Sequence, residues 1–313
     1  MSDAPLERPS LALWATNLAR PLNGIGAWAD SIDTKLAEAK ASGADMLIMP
    51  EYACEQWLTF APEGLGPRDE IPWLADQAEA ALEAIAPLPA CHGVALLAGS
   101  IAVRVDAEGN GASPYRNRSH LLLPDGRVYR QDKLCLTPAE KNPEAWHLGT
   151  GNRVEIVPWR GLRLATLICL DIELPALAAR LAPLSLDLIL TPSMTGKFAG
   201  HHRVFGCAKA RAVELQCAVA AVGCVGVASP AKERPTNVGG AAVFLPCEEA
   251  LGHEGIAARL PAFDRADDEG PMLLAEALPI PTIRALREGA AEVWPGAWSA
   301  DGVTLNETEG PGA

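Results

Sequence analysis

The chain has 313 residues, 49% of them hydrophobic and 21% charged, enough to bury a substantial core and within the size range of one large α/β domain. A net charge of −13 argues against nucleic acid and anionic membrane surfaces as partners. Eight scattered cysteines form no C-x-x-C pair and no zinc-finger grouping, and neither a signal-like N-terminus nor an apolar run of membrane-spanning length is present; reduced thiols in a cytoplasm are the expectation.

In chain order, "LALWAT" (11–16) reads as a first strand and residues 26–42 as a helix ending at Gly43. "DMLIMPE" (45–51) is a second strand. Leu74, Ala78, Leu82 and Ile85 recur at helical spacing over 71–86, before Pro87 and Pro89 stop the pattern. "VALLAGSIAVRV" (94–105) and "RSHLLLPDGRVYRQDK" (118–133) read as neighbouring strands, the latter folded into a hairpin at Pro-Asp-Gly. Residues 163–182 predict strand, sharp turn and helix. "LDLILTPS" (186–193) predicts a buried strand, residues 204–226 a helix running into a strand, and "GGAAVFLP" (239–246) one more strand. After 275 one amphipathic stretch remains, "PTIRALREGAAEVW" (281–294), and residues 300–313 have the composition of a flexible tail. With no repeat and no linker, the reading is one layered α/β domain over 1–313, with its core at about 10–295.

Three predicted strand ends carry unusual side chains. Glu51 follows "LIMP", Lys133 ends "RVYRQDK", and Cys169 ends "LATLIC" before a turn into a helix. A carboxylate, an ammonium and a thiol together can perform acyl transfer: the carboxylate takes the thiol proton, and the cation lowers the thiol pKa and holds a developing oxyanion. A helix N-terminus beside the thiol would further favour thiolate. "TPSMTGK" ends a strand on the same side, which makes Met194 and Thr195 candidates for substrate contact. Trp57 and Trp146, which follow the glutamate and lysine segments, are candidates for the pocket wall or for ordinary packing. His201-His202 lacks a third ligand at useful spacing, and the glycines of "NGIG" and "VGG" lack nucleotide-binding context, so neither a metal nor a cofactor is expected. Arg211 and Glu214 read as a helical ion pair, and Asp171 as a brace for the turn after Cys169.

The segments "ADMLIMPEY", "DGRVYRQDKLCLTPAEK" and "LATLICLDIELPAL" resemble, in order, the glutamate, lysine and cysteine motifs of the nitrilase, or carbon–nitrogen hydrolase, superfamily. "YRNRSHLLLPDG" and "CAKARAVELQCAVAAVGCVG" add to a resemblance that spans about residues 10–295. It implies Glu51 as general base, Lys133 and the Leu170 N–H as oxyanion donors, Cys169 as nucleophile, and Glu140 as a second acid that contacts the lysine and orients substrate. It also implies a four-layer α-β-β-α sandwich with two facing mixed sheets, and a homodimer or higher homo-oligomer joined through helices, with the stretch after 275 reaching a partner. Leu170 stands where the family usually has an aromatic residue, and Asp171 where nitrilases carry glutamate, which tilts the expectation toward an amidase acting on a small-molecule amide through a thioester. Nitrile hydrolysis and N-carbamoyl hydrolysis are the alternatives within the family, and a catalytically silent binding or scaffold member is the alternative outside catalysis.

Overall fold

The computed structural model describes residues 5–106, 113–228, 236–294, 296 and 298–306. Its first sheet has the strand order β12-β1-β2-β3-β4-β5, from β1 (Leu11–Trp14), β2 (Met46–Ile48), β3 (Ala95–Arg104), β4 (Tyr115–Leu122), β5 (Val128–Asp132) and β12 (Met272–Ala275). The second has the order β11-β10-β9-β8-β7-β6, from β6 (Val157–Trp159), β7 (Leu162–Thr166), β8 (Leu188–Ser193), β9 (Ala218–Gly223), β10 (Gly239–Phe244) and β11 (Ile256–Phe263). Each sheet has three parallel central strands, β1-β2-β3 and β7-β8-β9, flanked by antiparallel ones. Both sheets are therefore mixed.

Side-chain alternation along the strands builds the layers. Leu11, Leu13, Met46, Ile48, Leu97 and Leu121 meet Leu164, Leu188, Leu190, Ala220 and Val243 between the sheets. The opposite faces, Ala12, Trp14, Leu47 and Leu96, lie under α1 (Ile25–Ala41) and α2 (Glu70–Ile85), whose buried Ile32, Leu36, Leu74 and Ala78 keep helical spacing. Ala165, Ile189, Val219 and Ala242 lie likewise under Val204, Phe205, Ala208 and Ala212, on the long helix Phe198–Leu215. The result is the expected four-layer α-β-β-α sandwich.

Several details differ from the sequence reading. β2 stops at Ile48, because Pro50 has no N–H for a ladder and Glu51 lies in the following turn. Short helices α3 (Leu88–His92) and α4 (Pro138–Lys141) were not foreseen, nor were β6, β11 and β12, although Ile256, Ala258 and Leu260 do alternate along β11. The turn after Cys169 is a short 3-10 stretch (Cys169–Glu173) followed by a seven-residue helix, α5 (Pro175–Leu181). The long helix Phe198–Leu215, α6, starts six residues before the position expected. Within the amphipathic stretch after 275, α7 (Ile280–Ala285) runs into a wide turn over Leu286–Ala290 in which Gly289 adopts φ 114. Ile280 and Ile283 pack into the inter-sheet core of their own chain. Residues 303–306 are exposed and lack regular structure, and the rest of the predicted tail, 307–313, lies outside the described residues.

Candidate active site

Parallel strands leave their carboxyl ends open to a crevice, and the three chemical side chains arrive there from such ends or beside them. Glu51 follows β2 and is almost wholly buried. Its approach is fixed by a bulge in β3, where Gly99 has φ 65 and a Cβ would collide with the Pro50 carbonyl oxygen. Ser100 then donates its backbone N–H to Pro50 O at 3.3 Å, and its Oγ accepts from the Tyr52 N–H at 2.9 Å. Tyr52 itself adopts the left-handed φ 51, which turns the chain sharply behind the carboxylate.

Lys133 follows β5 and is only 2% exposed. Its Nζ lies 2.7 Å from Glu51 Oε1 and 2.8 Å from both carboxylate oxygens of Glu140. Glu140 sits on α4, where a capping box with Thr137 holds it: Thr137 N and Oγ1 donate to Glu140 Oε2 at 2.8 and 2.9 Å. Tyr52 Oη donates to Glu140 Oε1 at 2.6 Å. Asn117 Nδ2, on β4, bridges the two acids, donating to Glu51 at 2.9 Å and Glu140 at 3.4 Å. The Lys133 ammonium, the Asn117 amide, the Tyr52 phenol and the Thr137 hydroxyl and N–H thus hold two buried carboxylates.

Cys169 follows β7 and adopts φ 48, a left-handed conformation rare for a residue with a side chain and frequent at strained functional turns. Its thiol feels the Glu51 charge. Sγ also lies 3.8 Å from the Met194 carbonyl oxygen, while the Met194 N–H donates to Glu51 Oε2 at 2.9 Å. The peptide of Met194 therefore links acid and thiol. Asp171 braces the turn from below: its carboxylate accepts from Ile168 N, Leu134 N and Cys135 N, so it ties the cysteine turn to the segment after Lys133. Arg211 adds a bond from Nε to Ile172 O at 3.1 Å while pairing with Glu214.

Burial sets the electrostatics. It raises the pKa of Glu51, with Lys133 opposing and the Glu140 charge assisting. On Lys133 burial acts downward, but the two carboxylates outweigh it and keep the ammonium charged far above any working pH. Burial would also raise Glu140, yet Lys133, Tyr52 and Thr137 hold it below its ordinary value. Burial pushes the Cys169 thiol well up, and the adjacent Glu51 charge adds to this more than Lys133 relieves it. That direction favours the thiol over the thiolate expected from a neighbouring cation and helix end. Two acids surround the one cation, and the helix that follows is only seven residues long. Asp171 is raised to about 7 by burial, against its backbone donors.

Of the other sequence candidates, Glu140 joins the cluster directly. Met194 does so through its backbone. Leu170 directly follows the nucleophile and is half-buried, and Thr195 is buried beside Met194 and accepts from Val238 N through its backbone oxygen. Trp146 packs edge-on to Tyr52 at 4.8 Å and lies beside the cluster, whereas Trp57 packs against Trp28 in the core. His201 is buried against Phe205, and its pKa is lowered to about 4 by burial. Asn117 and Tyr52 were missed as individual residues. Each lay within a quoted motif, "YRNRS" and "PEY", but their donor roles depend on chain segments that sequence alone does not juxtapose.

No helix among the described residues is long and apolar enough to cross a membrane. Residues 21–252 match the carbon-nitrogen hydrolase family. Among curated proteins, the chain is 27% identical over 229 residues to "Probable hydrolase YhcX" of Bacillus subtilis, an alignment covering 73% of this chain and 43% of that protein. It is 29% identical over 148 residues to "Omega-amidase YafV" of Escherichia coli K12, covering 47% of this chain and 50% of that one. The chain thus spans about half the length of these relatives or less. A double mutant of the amidase from Nesterenkonia sp. AN1, in complex with acrylamide, shares the fold at a TM-score of 0.66 and 22% identity, over 90% of this chain and 95% of that one. The ordered motifs, the paired mixed sheets and the family match over most of the chain agree, and the chain belongs to the carbon-nitrogen hydrolase family.

Proposed function

We propose that the protein is a cysteine-dependent amidase that converts a small amide to a carboxylic acid and ammonia. The observation that supports this reading is the buried cluster of Glu51, Lys133 and Cys169, in which the carboxylate accepts from the ammonium and the Met194 backbone joins the carboxylate to the thiol. As the thiol attacks the amide carbonyl, its proton passes to Glu51, whose raised pKa suits it to accept and later return a proton. The S–C bond forms and the carbonyl π pair moves to oxygen, where the Lys133 ammonium and the Leu170 N–H stabilise it. Collapse breaks the C–N bond, and Glu51 returns the proton to the departing nitrogen, which leaves as ammonia. Water then attacks the thioester, giving one proton to Glu51 and its oxygen to the acyl carbon. The C–S bond breaks, the thiol is restored and the acid leaves. Since the thiol pKa is pushed up, its proton must be taken by Glu51 as the sulfur attacks, so Glu51 acts in its ionised form.

The omega-amidase name of one relative and the aspartate at 171 favour amides over nitriles. The test is ammonia release across a panel of short primary amides, nitriles and ureido acids, with Cys169→Ala as control and intact-mass detection of an acyl adduct. Amide turnover with an adduct confined to Cys169 is the expected result. Turnover of nitriles alone, or undiminished activity in Cys169→Ala, would overturn the reading.

A further inference from the structure

Acids outnumber bases by thirty-nine to twenty-six in this chain, yet one surface cleft reverses that balance. On the β4–β5 hairpin a cleft of about 280 Å³ is lined by Arg116, Arg118, Arg130 and Arg153, with Asp106 and Asp132 as its acids. Arg116 and Arg118 are two apart on β4, and Arg118 pairs across to Asp132 on β5, so these side chains share one face of the hairpin.

The cleft is built rather than incidental. Its far wall is the segment 149–153, drawn onto the hairpin at two glycines. Gly149 lies so close to the Arg116 guanidinium that a Cβ would overlap it, and a Cβ on Gly151 would meet Asp132 Cβ at 2.7 Å. Backbone bonds from Gly149 N to Tyr115 O at 2.9 Å and from Gly151 N to Lys133 O at 2.8 Å fix this wall. Arg116 is held by Nη1 on the carbonyls of Ser113 and Tyr115, at 2.7 and 2.9 Å, which orients its fork without neutralising it. Arg118 is neutralised by two bonds to Asp132, and Arg153 pairs with Glu155. Arg130 is exposed and makes no ion pair among the described residues. Two guanidinium groups, Arg116 and Arg130, are thus left without a carboxylate, against Asp106 alone at the rim.

We propose that this cleft binds a small phosphate-bearing anion, held by Arg116 and Arg130 with Arg118 beside them. Planar guanidinium forks match the paired oxygens of a phosphate group, and two uncompensated forks match its double charge. The volume exceeds a bare phosphate, which leaves room for a small organic portion. Lys133 continues directly from Asp132, and Asn117 stands between Arg116 and Arg118, so the ligand would seat on the reverse side of the segments that carry two members of the buried cluster.

The test is isothermal titration of the full wild-type chain with inorganic phosphate and with glycerol 3-phosphate, ionic strength being held constant with chloride. One saturable site is expected, weakened at least tenfold by Arg130→Ser, an exposed change that spares the fold, and weakened also by Arg116→Lys, which keeps the charge but removes the fork. Tighter binding of the ester assigns a phosphorylated metabolite, and equal binding assigns free phosphate. Absence of saturation, or unchanged affinity in Arg130→Ser with its melting temperature intact, overturns the proposal. Neither result depends on amide turnover.

Discussion

Two clusters in this protein mix acids and bases in opposite proportions. At one, a single lysine, Lys133, lies between Glu51 and Glu140. At the other, a single aspartate, Asp187, accepts from Arg284 at 2.7 and 2.9 Å, from Arg287 at 2.8 Å and from the Arg163 N–H at 2.9 Å. Burial acts to raise both Asp187 and Glu51. At Asp187 the arginines and the backbone donor win, and its pKa falls. At Glu51 one cation is shared with a second acid, and the pKa rises. Arg284 also remains 42% exposed, so water relieves that cluster, whereas Lys133 and Glu51 are sealed. An ion pair with cations in excess fastens α7 to the second sheet. A buried acid excess leaves Glu51 with a raised pKa, which suits the base of the proposed mechanism.

The largest expected effect comes from removing the scarce cation. Lys133→Met leaves two buried carboxylates facing each other, and kcat/KM should fall by at least about 10²–10³. Stability should fall by about 3–5 kcal/mol, the usual cost of orphaning a buried charge. Near-normal turnover in this variant would remove the lysine from the mechanism. The matching change in the other cluster, Asp187→Asn, should lower stability by about 2 kcal/mol in urea denaturation, because the exposed Arg284 is partly resolvated. The activity of the folded fraction should be unaffected. A proportional loss of kcat/KM would mean the two clusters are not independent.

The finest distinction is in pH. In the proposed mechanism an ionised Glu51 accepts the thiol proton, which predicts an acid limb of kcat/KM above 4.5, the ordinary value for glutamate, with rate lost as pH falls through it. Since Glu140 contributes to that rise, Glu140→Gln should move the limb to lower pH as well as slow the reaction; a limb that stays in place denies the coupling. Asp187 has the opposite sign. Its folded pKa is depressed, so its contribution to stability is present above the ordinary 3.8 and fades as pH falls below it. Asp187→Asn should therefore leave the activity limb unchanged.

Much of the fold was legible because burial periodicity is a local property. β1, α1, α2, the β4–β5 hairpin and β8 fell close to where apolar spacing and turn residues put them. Edge elements were not legible: β6 is three residues long and β12 four, each too short to show a period, and their pairing with β7 and β1 supplies what local preference lacks. Likewise the amphipathic stretch 281–294 gave no bounds for α7, which the left-handed Gly289 cuts short after Ile280, Ile283 and Leu286 have found the core.

The sequence by itself determined the candidates. Glu51, Lys133 and Cys169 each end a predicted strand, and the resemblance of their flanking segments to three ordered family motifs is what singled them out together. The shifts in their pKa arise only once the fold brings distant segments together. The pKa of Glu51 is raised by burial and by the second acid from α4, and that of the Cys169 thiol by burial and by Glu51. Coulomb energies in a dry interior depend on distances between segments up to 143 residues apart in the chain, as between Glu51 and Met194, and no local pattern encodes those distances.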